Sequence, residues 1–301
     1  MPKVLRLAAI TSLALATVVL GAGTAGAAET HHQPRNTCTG TLAAPGVLAG
    51  TYRGNVVVTG VCQVNGGAAV IKGDLILAPG SVLNATFALN DVAKTGTSSL
   101  TVRGDIKVGY GAVLGMGCEP NEMPCSDDPS AATGGTLTGQ NHVSGDVIGS
   151  QALAVIIHAS TIRGNASLRG GGGGVTCDVP ATGIFASLQS PVFSDFEDST
   201  IGGNLTITGL RTCWLGALRN HVRQNVIDVN NTMADPDANE ALANVIHGSI
   251  ACFGNSPAVQ YGDSGSSPNQ VRRQAFGECA FNVRQPNPAP SGPLEPISVK
   301  I

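Results

Sequence analysis

The sequence has few charged and few aromatic side chains, and it has no excess of positive charge. Of its 301 residues 12% are charged and 4% are aromatic, and 17 Lys and Arg stand against 20 Asp and Glu. Nucleic acid is therefore not an expected partner, because its binding needs a clustered positive surface. Long amphipathic helices are also missing after the first 28 residues. The 40 glycines and the abundant Val, Thr, Asn and Ala suit many short strands joined by tight turns.

Hydrophobic runs long enough to cross a membrane are missing too. The one apolar run, residues 7–20, follows Lys3 and Arg6 and precedes the small residues Ala25-Gly26-Ala27-Ala28. A basic start, a short apolar stretch and a small-residue end are typical of a secretory signal peptide. We predict a signal peptide over residues 1–28, a secreted extracellular protein and no membrane span.

The spacing typical of a zinc site is absent from the cysteines, since no two of the eight are separated by two residues. Their even number and the predicted export favour disulfide bonds instead. Number alone leaves the connectivity open, and sequential pairing is the arrangement that we predict. The predicted pairs are Cys38–Cys62, Cys118–Cys125, Cys177–Cys213 and Cys252–Cys279.

What the sequence does have is a repeat: a basic residue, then Gly, then Asn or Asp, then a short apolar stretch. Clear copies start at Arg53, Lys72, Arg103 and Arg163, and looser copies start at Ser144, Gly202, Arg223 and His247. Such a repeat indicates stacked units. The unit is 19 residues from Gly54 to Gly73, and longer intervals fit either one coil with an insertion or two coils with one degenerate turn.

Each unit contains three β-prone pieces, such as residues 56–58, 61–64 and 69–71, separated by Gly or polar turns. Three strands per coil, each stacked on its counterpart in the next coil, is the layout of a parallel β-helix. We expect the repeat glycine to supply a positive φ at the corner. The Asn or Asp beside it is expected to hydrogen-bond its own backbone.

On these Gly-Asn and Gly-Asp coils, from about residue 50 to residue 255, and on its Ala-rich signal peptide, the chain resembles the right-handed parallel β-helix proteins with the pectate-lyase-like fold. More narrowly, it resembles secreted actinobacterial proteins of this kind with no assigned activity. The resemblance implies an all-β, right-handed parallel β-helix solenoid of about eight coils of 19–21 residues, with loop insertions and disulfide-tied ends. The domain would span residues 29–285 with a cap at each end, before a Pro-rich tail over residues 286–301. Capped ends protect open strand edges, so we expect a monomer.

Stacking would align the basic residues of the repeat along one edge. These candidate ligand-binding residues are Arg53, Lys72, Arg103, Arg163 and Arg223. Such a row could bind an acidic cell-wall or extracellular polysaccharide through several weak contacts that add up. The alternative is that the neighbouring Asn and Asp row simply neutralises it on a solvated corner.

A group of carboxylates, Glu119, Glu122, Asp127 and Asp128, lies in and just after the short loop between Cys118 and Cys125. Crowded carboxylates could hold calcium, which takes several oxygen ligands, and calcium is the one cofactor that the sequence suggests. The spacing Asp-x-Asp-x-Asp-Gly is absent, which favours a solvated acidic loop. Residues 195–198 contain a second acidic patch.

No coherent set of catalytic residues is visible, since general acid and base catalysis needs two groups held across a bond. We therefore predict a non-catalytic structural, adhesive or polysaccharide-binding protein. The alternative is a polysaccharide lyase or glycoside hydrolase with its site under insertions at residues 115–140 and 170–200. Clustered Asp, His and Arg on the wall beneath these insertions would favour the enzyme. A wall of Thr, Ser and Val would favour binding.

A third possibility is a serine hydrolase that uses Ser264 in the sequence Gly262-Asp263-Ser264-Gly265. His158 and a later Asp would complete the triad. This tetrapeptide is also ordinary loop composition, and the β-helix repeat occupies the region where the barrel strands of such proteases would lie. The serine hydrolase therefore has the least support of the three.

Overall fold

The computed structural model describes residues 36–262, 264–281 and 283–284. The predicted signal peptide and the Pro-rich tail lie outside the described residues. The first strands are β1 (Thr37–Cys38), β2 (Gly46–Val47), β3 (Gly50–Tyr52), β4 (Val56–Val58), β5 (Val61–Gln63), β6 (Ala68–Ile71), β7 (Leu75–Leu77), β8 (Val82–Ala85), β9 (Ser99–Val102) and β10 (Ile106–Val108). Next come β11 (Val113–Met116), β12 (His142–Val143), β13 (Val147–Ser150), β14 (Ala154–His158), β15 (Thr161–Ile162), β16 (Ala166–Arg169), β17 (Phe193–Glu197), β18 (Thr200–Ile201), β19 (Leu205–Thr208) and β20 (Arg211–Thr212). The last are β21 (Trp214–Leu218), β22 (His221–Val222), β23 (Val226–Val229), β24 (Thr232–Met233), β25 (Asn239–Leu242), β26 (Val245–Ile246), β27 (Ile250–Phe253), β28 (Asn269–Val271), β29 (Ala275–Gly277) and β30 (Val283–Arg284). One α-helix, α1 (Ile184–Leu188), and two 3-10 helices, Ala131–Thr133 and Glu278–Phe281, complete the described elements.

All strands except β20 and β24, which pair with each other, form three long parallel sheets, each of which takes one strand from almost every coil. Sheet A has the order β1-β4-β7-β10-β13-β16-β19-β23-β27-β29. Sheet B has the order β2-β5-β8-β11-β14-β17-β21-β25, and sheet C has the order β3-β6-β9-β12-β15-β18-β22-β26-β28-β30. The predicted all-β, parallel β-helix fold is confirmed.

The long intervals between repeats are single coils with insertions. Leu75 pairs with Ile106, and Ile106 pairs with Val147, so no degenerate coil lies between them. All eight repeat copies precede a strand of sheet A, and β1 and β29 extend that sheet by one strand at each end. The two largest insertions are residues 117–141, between sheets B and C, and residues 170–192, between sheets A and B.

The Asn or Asp of each repeat joins its coil to the next one. In seven consecutive steps its side-chain Oδ1 accepts the backbone N–H of the equivalent residue one coil later, at 2.7 to 3.0 Å. The accepting residues of this corner ladder are Asn55, Asp74, Asp105, Asp146, Asn165, Asn204 and Asn225. Our expectation that these side chains bond their own backbone is therefore wrong, because the next coil presents an N–H that its strand pairing leaves free.

The expectation that the repeat glycine supplies a positive φ is also wrong. Left-handed glycines occur elsewhere among the described residues, but none is a repeat glycine. A Cβ on Gly145 would lie 2.2 Å from Asp105 Oδ1, and one on Gly164 would lie 2.1 Å from Asp146 Oδ1. The ladder oxygen and the backbone of the preceding coil occupy the space of a side chain at these positions, which explains the glycine there. One coil has Gln224 at this position, where its Oε1 accepts a hydrogen bond from Asn204 Nδ2 at 3.0 Å.

The interior is a column of apolar side chains tied at both ends by disulfides. The first inward position of sheet A is fully buried from Val56 and Leu75 through to Ile250. Burying each such side chain contributes roughly 1.5–3 kcal/mol. All four predicted disulfides are confirmed: Cys38–Cys62 and Cys252–Cys279 at the ends, Cys118–Cys125 within the first large insertion, and Cys177–Cys213 between the second insertion and the following coil.

One carboxyl group interrupts this apolar column. Asp228 pairs with Ile207 and Cys252 in sheet A and is 3% exposed. Burial raises its pKa to about 7, against the lowering effect of the hydrogen bond that Asn231 Nδ2 donates to its Oδ1. The charge of Glu278 raises this pKa further.

Replacing Gly145 by Ala tests the steric role of the repeat glycine. The Cβ would collide with the ladder oxygen of Asp105, and we expect a loss of about 1–3 kcal/mol in the free energy of unfolding, measured from urea midpoints. Gly54 is the matched control, because a Cβ there would meet only Asn36 Nδ2 at 3.4 Å. Equal losses for Gly145→Ala and Gly54→Ala would contradict the steric explanation.

Replacing Asp228 by Asn tests the buried carboxyl. The pKa of Asp228 is about 7 in the folded state, above its ordinary value of 3.8. Between pH 3.8 and pH 7 the carboxyl group is therefore protonated in the folded protein and ionised in the unfolded protein. The contribution of Asp228 to the free energy of unfolding is therefore fully present below pH ~4, and it is lost as the pH rises to ~7. We expect Asp228→Asn to match the parent near pH 4 and to exceed it at pH 8, by up to about 4 kcal/mol. A difference between the two urea midpoints that does not change with pH would refute this.

Candidate functional site

The five predicted basic residues lie in one row, here called the basic stripe (Arg53, Lys72, Arg103, Arg163 and Arg223). The backbone N–H of Lys72 donates to Tyr52 O, that of Arg103 to Ile71 O, and this pattern continues to Arg272. Each repeat start is thus held beside its equivalent one coil earlier, at the strand spacing of ~4.8 Å. All five side chains are exposed.

In the part of the chain that the structure describes, the corner carboxylates form no ion pair with the stripe. Asp74 pairs with Lys107 Nζ on sheet A at 2.7 Å, and none of the ion pairs among the described residues includes a stripe residue. His142 lies two residues before the stripe position of its coil. Burial lowers the pKa of His142 first, and the charges of Arg163 and Arg103 lower it further.

The outer face of sheet B lies beneath the two large insertions. Phe185 and Ile184 of α1 and Met123 of the first insertion pack with an apolar patch that includes Val113 and Ile156. Strands β14 and β17 continue under this cover, so their outward side chains are buried as well as their inward ones, except for the partly buried Phe193.

Three ionisable side chains, here called the buried cluster (His158, Asp195 and Glu197), lie on that outer face. His158 pairs with Glu197 across β14 and β17, and Asp195 precedes Glu197 by two residues. Because strand side chains alternate, Asp195 and Glu197 share one face while Phe196 enters the core. The three residues are only 3% to 4% exposed.

The imidazole of His158 lies between two carboxylates. Its Nδ1 is 3.3 Å from Glu119 Oε1, and its Nε2 is 3.3 Å from Asp195 Oδ1. One ligand atom each from His158, Asp195 and Glu197 lie within 4.8 Å of one another. Nε2 and Asp195 Oδ1 are buried without a hydrogen bond.

Arg219 closes the solvent side of the buried cluster. Asp198 and Arg219 follow β17 and β21 with left-handed φ values of 48° and 54°, so they stack at one turn position. Arg219 Nε donates to Asp198 Oδ2 at 2.8 Å, and Nη2 donates to Glu197 Oε2 at 2.6 Å. Its Nη2 also lies 3.3 Å from Glu122 Oε2 in the first insertion.

The buried asparagines that follow this turn hold it in register. Asn220 N–H donates to Asn244 Oδ1 at 2.9 Å, and Asn244 N–H donates to Asn269 Oδ1 at 3.0 Å. Both Asn220 and Asn244 have no exposed surface. Arg219 is thereby fixed over the buried cluster by backbone geometry rather than by its own rotamer alone.

Negative groups outnumber positive ones here, with five carboxylates around His158 and Arg219. Burial raises the pKa of Glu197 to about 8, and the charge of Asp195 raises it further against His158 and Arg219. Burial lowers the pKa of His158, but Asp195 and Glu119 outweigh it and hold that pKa well above its ordinary value. Burial also raises the pKa of Asp198, although Arg219 opposes this.

The structure separates the four predicted calcium ligands. Glu119 contacts His158, and Glu122 contacts Arg219. Asp127 accepts the backbone N–H groups of residues 88 and 89, and Asp128 accepts those of residues 130, 136 and 137. The hydrogen bond from Thr136 is the largest influence on the pKa of Asp128, which is lowered overall. Asp127 and Asp128 therefore fasten the insertion, and calcium binding by the four residues stays a prediction.

The sequence indicated the two acidic patches that surround the buried cluster, but it did not predict that they contact each other. Glu119 and Glu122 lay in one predicted acidic patch, and Asp195, Glu197 and Asp198 in another. The repeat held a usable signal, because His158 and Glu197 are separated by the same 39 residues as Gly164 and Gly203. Alignment across the insertion would have paired them.

Ser264, the predicted third-choice nucleophile, is exposed and follows β27. His158 instead contacts Glu119 and Asp195. Among the described contacts, none joins Ser264 to a base, and a catalytic role for Ser264 stays a prediction.

Comparison of the chain with protein-family models, curated proteins and solved structures finds no match. Among the described residues, no helix combines the length and the apolar character needed to cross a membrane. Function must therefore be inferred from the geometry of the basic stripe and the buried cluster.

Replacing Arg219 by Gln tests whether it holds the carboxylates together. Loss of the guanidinium leaves Glu197 and Asp198 without their cation, and we expect a loss of about 1–3 kcal/mol in the free energy of unfolding after allowance for solvent screening. The double variant with Asp198→Asn should recover part of this loss in a double-mutant cycle on urea midpoints. Arg211→Gln, which removes an exposed arginine, is the control. The explanation fails if Arg219→Gln costs no more than that control.

Proposed function

We propose that the protein is a secreted, non-catalytic β-helix that binds an acidic polysaccharide along the basic stripe. One observation carries the proposal: five exposed cations stand in register on a rigid edge, and none of them is engaged in a described ion pair. An exposed row of cations without described ion pairs supports the binding of an external anion.

The spacing of the stripe suits a linear polyanion. Arg103, Arg163 and Arg223 occupy every second coil, which separates them by ~10 Å at the strand spacing. Guanidinium groups bind carboxylate or sulfate oxygens in pairs, and weak contacts on one rigid chain add up. An extended polyuronate or sulfated glycan offers such groups at regular intervals. The overall charge of −3 disfavours nucleic acid as the occupant.

Secretion is part of this proposal. It is supported by the signal-peptide pattern of residues 1–28 and by four disulfides, which persist in oxidising compartments. The resemblance of the Gly-Asn and Gly-Asp coils to secreted actinobacterial β-helix proteins supports it further.

A second candidate, a polysaccharide lyase or glycoside hydrolase, is favoured by one specific observation. Asp, His and Arg do converge on the wall beneath the insertions, at His158, Asp195 and Arg219. The buried cluster is too closely spaced and too covered to hold a sugar between its members, because carboxyl groups of glycosidases stand at least ~5 Å apart across the bond. Binding is therefore the better supported function, and catalysis at the rim formed by Arg219 and Glu122 is the alternative.

The stripe is tested by removing three of its charges together, in Arg103→Gln/Arg163→Gln/Arg223→Gln. We expect affinity for oligogalacturonate, alginate or a sulfated glycan to fall by at least ~10-fold. The slope of log affinity against log salt should fall by about one for each lost contact. Lys107→Gln/Arg169→Gln/Arg211→Gln is the matched control, since it removes three exposed cations from other positions. Titration calorimetry at several salt concentrations gives both quantities.

Four outcomes would count against the proposal. Both triple variants could bind alike, neutral dextran could bind as well as the acidic glycans, none of these glycans could bind the parent, or duplex DNA could bind more tightly than all of them. The same glycans are to be assayed for new reducing ends and unsaturated uronates. Product that disappears in Arg219→Gln but not in the stripe variant would establish the second candidate instead.

A further inference from the structure

Two buried polar atoms beneath the insertions make no hydrogen bond and face each other as an ion pair. His158 Nε2 and Asp195 Oδ1 have no exposed surface and no hydrogen bond, and they lie 3.3 Å apart. A buried polar atom without a hydrogen bond is destabilising, and a charged one is more so. A carboxylate oxygen of Glu197 lies within 4.8 Å of the ligand atoms of both residues.

The separation of these atoms is that of ligands on one metal ion. Tetrahedral bonds of about 2.0–2.2 Å place neighbouring ligand atoms about 3.3–3.6 Å apart. The Nε2 to Oδ1 distance of 3.3 Å falls in this range. An oxygen of Glu197 lies within 4.8 Å of both, so a small side-chain rotation would bring it into the same shell.

Glu119 has the position of an orienting carboxylate. It lies 3.3 Å from His158 Nδ1, on the far side of the imidazole from Asp195. A metal-binding histidine characteristically donates its other ring N–H to a carboxylate, which fixes the tautomer and directs the free lone pair at the ion. Glu119 comes from the first insertion, next to the Cys118–Cys125 disulfide.

The charges also call for a cation. His158, Asp195, Glu197 and Glu119 carry three carboxylates and one imidazole, and Arg219, which pairs with Glu197, is shared with Asp198 and Glu122. Buried charges in proteins are paired or coordinate metals. The competing arrangement is an imidazolium that bridges Glu119 and Asp195 with no metal at all.

We propose that His158, Asp195 and Glu197 bind one divalent transition-metal ion of the Zn²⁺ type. One nitrogen and two oxygen ligands suit Zn²⁺ or Mn²⁺, whereas Ca²⁺ takes six to eight oxygens. The ion would join β14 and β17 beneath the cover of both insertions, independently of the basic stripe. Glu119 acts as a positioning residue.

The test uses the mature chain without an affinity tag, stripped with a chelator and titrated with Zn²⁺, Mn²⁺ and Ca²⁺ by calorimetry. We expect one tight Zn²⁺ equivalent and a higher Tm. Asp195→Asn and Glu197→Gln should weaken that equivalent by at least ~100-fold, and Glu119→Gln should weaken it by about 10–100-fold. Asp178→Asn, an exposed acid in the second insertion, should change nothing.

Spectroscopy of the parent chain keeps the test decisive if a variant fails to fold. Co²⁺ in the site should give the intense visible bands of a four-coordinate ion, and X-ray absorption of the Zn²⁺ form should show one imidazole. The proposal is overturned if the parent binds no stoichiometric Zn²⁺, if Asp195→Asn and Glu197→Gln retain full affinity, if Ca²⁺ binds more tightly, or if the absorption spectrum shows no nitrogen ligand. Absence of binding would leave the bridging imidazolium as the correct description.

Discussion

The hydrogen bond that each coil's backbone N–H donates to the corner side chain of the preceding coil is the contact on which the rest of the structure depends. Sheet hydrogen bonds alone tolerate a slip of register, and a slip of one residue would turn every inward side chain outward. The ladder from Asn55 to Asn225 fixes one residue of each coil against one residue of the next. Glycine precedes it because the ladder oxygen fills the space of a side chain. The apolar column and the basic stripe are both consequences of that register.

The insertions interrupt the chain without disturbing this register. Coils on either side of residues 117–141 and 170–192 pair directly, as Ile106 with Val147 and Ala166 with Leu205 show. The added segments can therefore cover the outer face of sheet B and bury charged groups there. The basic stripe lies at the corner before sheet A, where no large insertion interrupts the coil. The molecule thus separates an open cationic edge from a covered anionic cluster.

Much of the fold could be predicted from the sequence, because a corner repeated eight times constrains architecture more strongly than local propensity does. The repeat predicted the parallel sheets, and the even number of cysteines predicted disulfide bonds, whose sequential pairing was the simplest arrangement to expect. These patterns did not show why position 145 is glycine. A turn that needs a positive φ and a close approach by the neighbouring coil both select glycine, so the sequence looks the same in either case. The patterns also missed the buried cluster, because His158 and Glu197 become neighbours only when 39 residues are counted as one coil. The contacts that Glu119 and Glu122 make across sheet B depend on how the first insertion folds back over the sheet. The spacing of the repeat carries no information about the fold of an insertion.

The central functional claim is that a polyanion lies along the corner before sheet A, across several coils. Amide hydrogen exchange of the parent protein, with and without a saturating acidic oligosaccharide, measures this directly. We predict slower exchange in the segments that flank Arg103, Arg163 and Arg223, with no change in residues 117–141. Protection confined to that insertion and the segment around Arg219, or no protection at any stripe position, would contradict the account.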